Sequence, residues 1–205
     1  MAETVHARKR RNLDDASVCN KTPTPSISDR EEMHLNIVEY PDKKLREISK
    51  EVKTFDAQLH KLLDAMYAIM MNTNGIGLAA IQVARPMRVL ILNIPDEDGE
   101  QPKENLIEII NPVVTHKDGE SVYQEGCLSV PSFYEDVKRF ETITINFQDR
   151  DANTKTIEAD GLLAIAIQHE MDHLEGILFI DKLSYSRRKK FEKEYKLMQK
   201  EKKSS

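Results

Sequence analysis

Between Phe55 and Asn74 the apolar residues Leu59, Leu62, Leu63, Met66, Ile69 and Met70 recur at i, i+3, i+4, i+7, i+10 and i+11. That spacing lays them on one face of a helix. Gly75-Ile76-Gly77 ends the helix and leads into Leu78 to Val83, and after Pro86 the run Arg88 to Asn93 reads as a strand. Asp96 to Gly99 reads as a turn. Further strands are predicted at Leu106 to Val114, Ser121 to Val130, Thr142 to Phe147 and Lys155 to Glu158, antiparallel because the connectors are short. After Asp160-Gly161 the segment LLAIAIQHEMDHLEG is apolar on all sides for two turns, then turns polar and stops at Gly176, which predicts a buried helix with a chemical end. The fold class expected is α+β: antiparallel sheets packed around that central helix, with N-terminal and C-terminal helices.

The chain has 205 residues, 40% hydrophobic and 32% charged, enough for one domain with short appendages. It contains neither a long uninterrupted apolar run nor an N-terminal apolar stretch with a small-residue cleavage site, so membrane-spanning and secreted readings fall away and a cytoplasmic protein is expected. Cys19 and Cys127 stand in different contexts and do not form a disulfide framework. Charge is uneven. From Ser186 onward nine Lys or Arg face three Glu, a net of +6, which leaves −11 for residues 1–185 of a chain whose total is −5. Residues 1–32 balance six basic and six acidic residues with few large apolar ones; they are expected to be disordered, an expression leader or a misassigned start ahead of Met33. The division expected is therefore 1–32, a catalytic domain at 33–185 and a basic tail at 186–205.

His169-Glu170-Met171-Asp172-His173 is an H-E-x-x-H sequence. On a helix its two imidazoles lie about 40° apart, one turn along the same face, and can share a metal. Glu170, about 100° from His169, is placed to take a proton from a water at such a metal without ligating it. A catalytic site of this kind wants a third protein ligand. The metzincin extension fails because Phe179 stands where its last histidine belongs, and the downstream glutamates Glu192, Glu194 and Glu201 all lie in the basic tail. Cys127, in Tyr-Gln-Glu-Gly-Cys-Leu-Ser-Val, is a soft donor suited to Fe, Zn or Ni, or else a small buried hydrophobe; both readings predict burial. Gly75-Ile76-Gly77-Leu78-Ala79-Ala80-Ile81-Gln82 lacks the G-x-G-x-x-G spacing of a nucleotide loop and follows a helix. It reads as a tight turn or as an edge where a peptide docks, with Gln82 an amide donor to a developing oxyanion.

In order and spacing, GIGLAAIQV, EGCLS and QHEMDHLEG resemble the three signature motifs of the bacterial peptide deformylases, and the resemblance runs from about Leu35 to Ile180. It implies removal of the formyl group from the formyl-methionine that begins new polypeptides, with release of formate. It also implies a Cys-His-His site, normally Fe²⁺, in which Zn²⁺, Ni²⁺ or Co²⁺ can substitute. Carried onto this chain, Cys127, His169 and His173 are the ligands and Glu170 is the base. The metal, Gln82 and the Leu128 N–H meet the oxyanion. Ile76, Leu162, Ile165 and His169 line the methionine pocket, and Gly77 pairs the substrate backbone. Where many members place an arginine near the mouth of the site, this chain has Tyr134, so aromatic contacts to residues beyond methionine are expected.

Phe191, Tyr195 and Met198 at i, i+4 and i+7 predict an amphipathic helix in the tail, packed on its own domain or, through its lysines, contacting ribosomal RNA where substrate emerges. The partners expected are formylmethionyl nascent peptides and, through the tail, the ribosome, with no DNA and no membrane; the protein is expected to be a monomer. The rival readings are a generic zinc endopeptidase, which EGCLS and Phe179 oppose, and a ribosome-associated binding protein without activity.

Overall fold

The computed structural model describes residues 33–204, so the expectations for residues 1–32 lie outside the described residues. Helix α1 (Ala57–Asn72) begins where the Asp56 carboxylate accepts from the backbone N–H groups of Gln58 and Leu59, both at 3.0 Å. Its predicted face is buried at Leu59, Leu62, Leu63, Met66 and Met70, each worth about 1.5–3 kcal/mol.

That face packs on one side of an antiparallel sheet in the order β1 (Gly77–Ala79), β2 (Val89–Leu92), β3 (Ile107–Asp118), β6 (Thr142–Gln148), β7 (Thr154–Ala159). Strand β2 explains how. Val89 and Ile91 point to α1, whereas Leu90 and Leu92 join Ile109, Ile143 and Ile145 on the opposite face, against helix α2 (Gly161–Leu174). A strand covered on both faces reads as a continuous apolar run instead of an alternating one. Among the described residues β1 pairs only with β2, in the register Gly77↔Leu92, and its other edge faces the site.

The segment predicted as one strand from Ser121 to Val130 is instead a hairpin. β4 (Ser121–Cys127) and β5 (Val130–Arg139) pair with Cys127 opposite Val130, so Leu128 and Ser129 form the turn. β5 is polar along most of its length, with only Val130, Val137 and Arg139 buried, and its pattern did not announce a strand.

Helix α3 (Tyr185–Ser204) closes the chain. Its aromatic face is docked: Phe191 and Tyr195 are buried, Phe191 lies 4.5 Å from the Phe133 ring centroid and 5.4 Å from that of Tyr40, and the Tyr195 hydroxyl donates to the Tyr40 carbonyl. A lysine-rich helix of this length is marginal alone, and burial of two aromatics at about 2–3 kcal/mol each fixes it to the domain. Among the described residues no helix is long and apolar enough to cross a membrane.

Candidate metal centre

Helix α2 carries its chemistry at the end where the apolar face runs out. His169 and His173 project one turn apart with ring centroids 5.1 Å from each other, and the β4–β5 hairpin brings Cys127 to the same point from the opposite side. The Cys127 Sγ lies 3.3 Å from His173 Nε2, and the three prospective ligand atoms are all within 4.8 Å of one another. Cys127 is half-buried, while both imidazoles are nearly inaccessible. One thiolate and two imidazoles in that spacing suit Fe²⁺, Zn²⁺, Ni²⁺ or Co²⁺.

His169 is aimed by a partner. Its Nδ1–H donates to Glu125 Oε2 at 2.7 Å, which fixes the tautomer and leaves Nε2 for coordination. Glu125 in turn accepts two bonds from the Arg139 guanidinium, at 2.6 and 2.9 Å, and the third guanidinium nitrogen binds Asp172. Lys182 Nζ stands 3.1 Å from the same Asp172 carboxylate. The Glu125 and Arg139 side chains are 3% and 2% exposed, so this is a fully desolvated pair. Burial acts to raise the Glu125 pKa, but hydrogen bonds from Arg139 and His169 outweigh it and hold the carboxyl at about 2. Burial acts to lower the His169 pKa, yet the bonds to Cys127 and Glu125 lift it well above the usual range. His173 goes the other way, pushed down by burial and by the charge on His169. A cation bound here displaces the His169 proton.

Glu170 follows His169 on the helix and turns into the site, and burial raises its pKa to about 7. Among the described residues its buried Oε2 has no hydrogen-bond partner. Gly77 makes room for it: a Cβ there would stand 2.6 Å from Glu170 Oε1 and 2.8 Å from Leu92 Cδ2. Gln82, also buried, accepts from the Ala79 N–H through Oε1 at 2.8 Å, which turns its amide nitrogen to Ser129 Oγ at 3.2 Å and Cys127 Sγ at 3.6 Å. Residues 38–40 brace this arrangement, because the Val38 N–H binds the Gln82 carbonyl and the Tyr40 N–H binds that of Ser129, at 2.7 and 2.8 Å.

Every residue assigned to the site from the sequence is brought to it. Ile76, Gly77, Gln82, Cys127, Leu128, Leu162, Ile165, His169 and Glu170 line one cavity of about 550 Å³, and His173 meets Cys127 beside it. Tyr134, 63% exposed, stands at the same cavity against Gly126. Glu125, Arg139, Asp172 and Ser129 are the members that the sequence reading missed. Glu125 lies inside the quoted EGCLS motif, but the signal for its role is the buried arginine across the hairpin.

An antiparallel sheet over a helix bearing H-E-x-x-H, with a hairpin cysteine brought to the same point, is a hydrolase scaffold. The chain matches the polypeptide deformylase family over residues 34–189. It is 59% identical over 169 residues to the peptide deformylase of Helicobacter pylori strain HPAG1, which covers 82% of this chain and 97% of that one. Against the peptide deformylase of Wolinella succinogenes the identity is 56% over 165 residues, covering 80% and 97%. The crystal structure of a peptide deformylase from Legionella pneumophila superposes with a TM-score of 0.73 at 38% identity, over 80% of this chain and 96% of that one. That of Synechococcus elongatus peptide deformylase in complex with actinonin gives 0.70 at 36% identity, over 75% and 83%. The chain belongs to the polypeptide deformylase family and is an enzyme of that class.

Proposed function

We propose that the enzyme hydrolyses the N-formyl group of the formyl-methionine that begins new polypeptides in the cytoplasm, acting as a monomer and releasing formate. The observation that carries this reading is the convergence at one point of the Cys-His-His donor set, a buried Glu170 whose Oε2 has no partner among the described residues, and a cavity walled in part by Ile76, Leu162 and Ile165. Cys127, His169 and His173 would hold one divalent cation, Fe²⁺ by the resemblance, with Zn²⁺, Ni²⁺ or Co²⁺ able to replace it. The chemistry such a cation supplies is Lewis acidity, which acidifies a water and polarises the formyl carbonyl.

The chain's own residues do the rest. Glu170 takes the proton of the attacking water and delivers it to the amine nitrogen as the C–N bond breaks, and a carboxyl near pKa 7 can work in both directions. Gln82, whose amide is oriented by Ala79, and the backbone N–H of Leu128 donate to the oxygen that becomes negative; one such donor is worth about 10² to 10³ in rate. Ile76, Leu162 and Ile165 provide the apolar slot for an unbranched thioether, and Gly77, on the edge of β1 opposite β2, pairs the peptide as an added strand. The arginine-free rim at Tyr134 favours aromatic contact with the residues after methionine. Peptide libraries varied there should show no preference for acidic side chains, and an acidic preference contradicts this rim.

Formate release from formyl-Met-Ala-Ser by anaerobically purified protein tests the reaction. The parent should release formate, and Glu170→Ala should lose about 10² to 10⁴ in kcat with its metal retained. A parent that holds metal yet releases no formate overturns the assignment.

On the tail, the docked aromatic face of α3 leaves Lys193 and Lys196 exposed, and these support contact with ribosomal RNA near the emerging substrate. Truncation at Ser184 would also remove the buried Phe191, so the cleaner variant is Lys193→Glu with Lys196→Glu. Its retention on pelleted ribosomes should fall, and unchanged, salt-insensitive retention disposes of the RNA contact.

A further inference from the structure

The connection from β2 to β3 folds back onto the wall of the cavity through two side-chain amides. Asn93, fully buried at the end of β2, donates from Nδ2 to the carbonyls of Gln101 and Pro102 at 3.1 and 3.2 Å. Gln101 answers from Nε2, donating to the Asn93 carbonyl at 2.6 Å and to the Gly75 carbonyl at 3.1 Å. The Asn93 N–H binds the Ile76 carbonyl at 2.9 Å. This knot meets the cavity wall at Gly75. A Cβ on Gly75 would lie 2.9 Å from Leu128 Cδ1 and 3.2 Å from Met70 Cγ, so Gly75 is where the end of α1, the wall 75–77 and the hairpin turn come together. Strand β1 is only three residues long and, among the described residues, pairs on one side, so little in the strand itself holds the path of Ile76 and Gly77.

We propose that Gln101 is a positioning residue for peptide binding: by holding the Gly75 carbonyl it sets the path of Ile76 and Gly77, and with it the edge on which the substrate backbone pairs. The inference rests on the deformylase reading above. Because a trans peptide unit is planar, fixing the Gly75 C=O also fixes the direction of the Ile76 N–H. An interaction of this kind binds ground state and transition state alike, so its loss raises KM more than it lowers kcat. Nothing beyond the methionine pairs with the edge when the substrate ends there, so the effect should grow with peptide length.

Steady-state kinetics of Gln101→Met on formyl-Met-Ala-Ser and on formyl-methionine amide test the idea, with metal content and thermal midpoint measured on each preparation. The KM for the tripeptide should rise about three- to tenfold with a smaller change in kcat, and the KM for the amide should move less than about twofold. Gln101→Asn, which keeps the N–H donors on a shorter side chain, should fall between parent and Gln101→Met, and it decides alone if Gln101→Met does not fold. An equal KM rise for both substrates, a fall in kcat alone, or a change confined to the thermal midpoint overturns the proposal. A parent inactive on both substrates fails the reaction assignment and takes this inference with it. A normally active parent without the length-dependent rise condemns the role of Gln101 only.

Discussion

Arg139 and Arg150 each gather two carboxylates, yet they do different things. Arg139 binds Glu125 with two nitrogens and Asp172 with the third, and its side chain is 2% exposed. Arg150 binds Glu108 at 2.5 and 2.7 Å and Asp64 at 2.9 Å in nearly the same pattern, with 32% of its side chain in contact with solvent. Water compensates the second arrangement, so it braces α1 against the strands of the large sheet and its energy is small. The first has no water to fall back on. Its carboxylate, Glu125, has to be paired, and the pairing aims a histidine at the candidate metal centre. Identical ion-pair chemistry is therefore a surface brace in one place and part of the site in the other, and burial together with the next contact decides which.

The comparison breaks most sharply by removing each guanidinium. Arg139→Met leaves the buried Glu125 with only the His169 imidazole as a partner and should cost about 3–5 kcal/mol by denaturant unfolding, whereas Arg150→Met should cost about 0–1 kcal/mol. Equal costs would mean that burial does not separate the two. Glu125→Gln is gentler on the fold but replaces one accepting oxygen with an NH2 donor and removes the charge, so Arg139 and His169 can no longer both be satisfied and metal affinity by competition with a chelator should fall about 10- to 100-fold. Glu108→Gln should leave that affinity unchanged.

Acid distinguishes the buried pair as well. Because the folded Glu125 carboxyl sits at about 2, below its usual value of 4.5, it contributes stability that is full above 4.5 and is lost as pH falls toward 2. The metal-free parent should lose more stability over that interval than metal-free Glu125→Gln. Parallel curves would contradict the depressed carboxyl. A smaller effect is expected at the β6–β7 turn, where the Asp149 carboxylate accepts from the Asp151 and Asn153 N–H groups, both at 3.0 Å. Asp149→Ala should cost about 1 kcal/mol and leave metal affinity alone.

The same contrast explains what the sequence made legible. Helices α1 and α2 announce themselves by period, and H-E-x-x-H, EGCLS and GIGLAAIQV are each a local run of residues, so the sequence alone singles out His169, His173, Cys127, Glu170 and Gln82 as candidates, and the fold brings them to one place. Strand β1 has only three residues and shows no period. β5 is largely polar, and reading Ser121 to Val130 as one strand hid the turn at Leu128-Ser129. With the hairpin missed, Arg139 had no reason to face Glu125, since their meeting depends on the register that sets Ser121 opposite Arg139. Gln101 was invisible for a similar reason: its partners, Gly75 and Asn93, lie 26 and 8 residues away in the chain. Residues that act through their own motif can be read from sequence, whereas those that act through a neighbour's orientation need the pairing.

The measurement that bears most directly on the centre is metal content per chain of anaerobically purified parent, Cys127→Ser and Glu170→Ala, read by native mass spectrometry. One divalent ion per chain in the parent and in Glu170→Ala, with loss in Cys127→Ser, is the result predicted for a Cys-His-His site whose neighbouring carboxylate is not a ligand. Full occupancy in Cys127→Ser, or loss in Glu170→Ala, would contradict it.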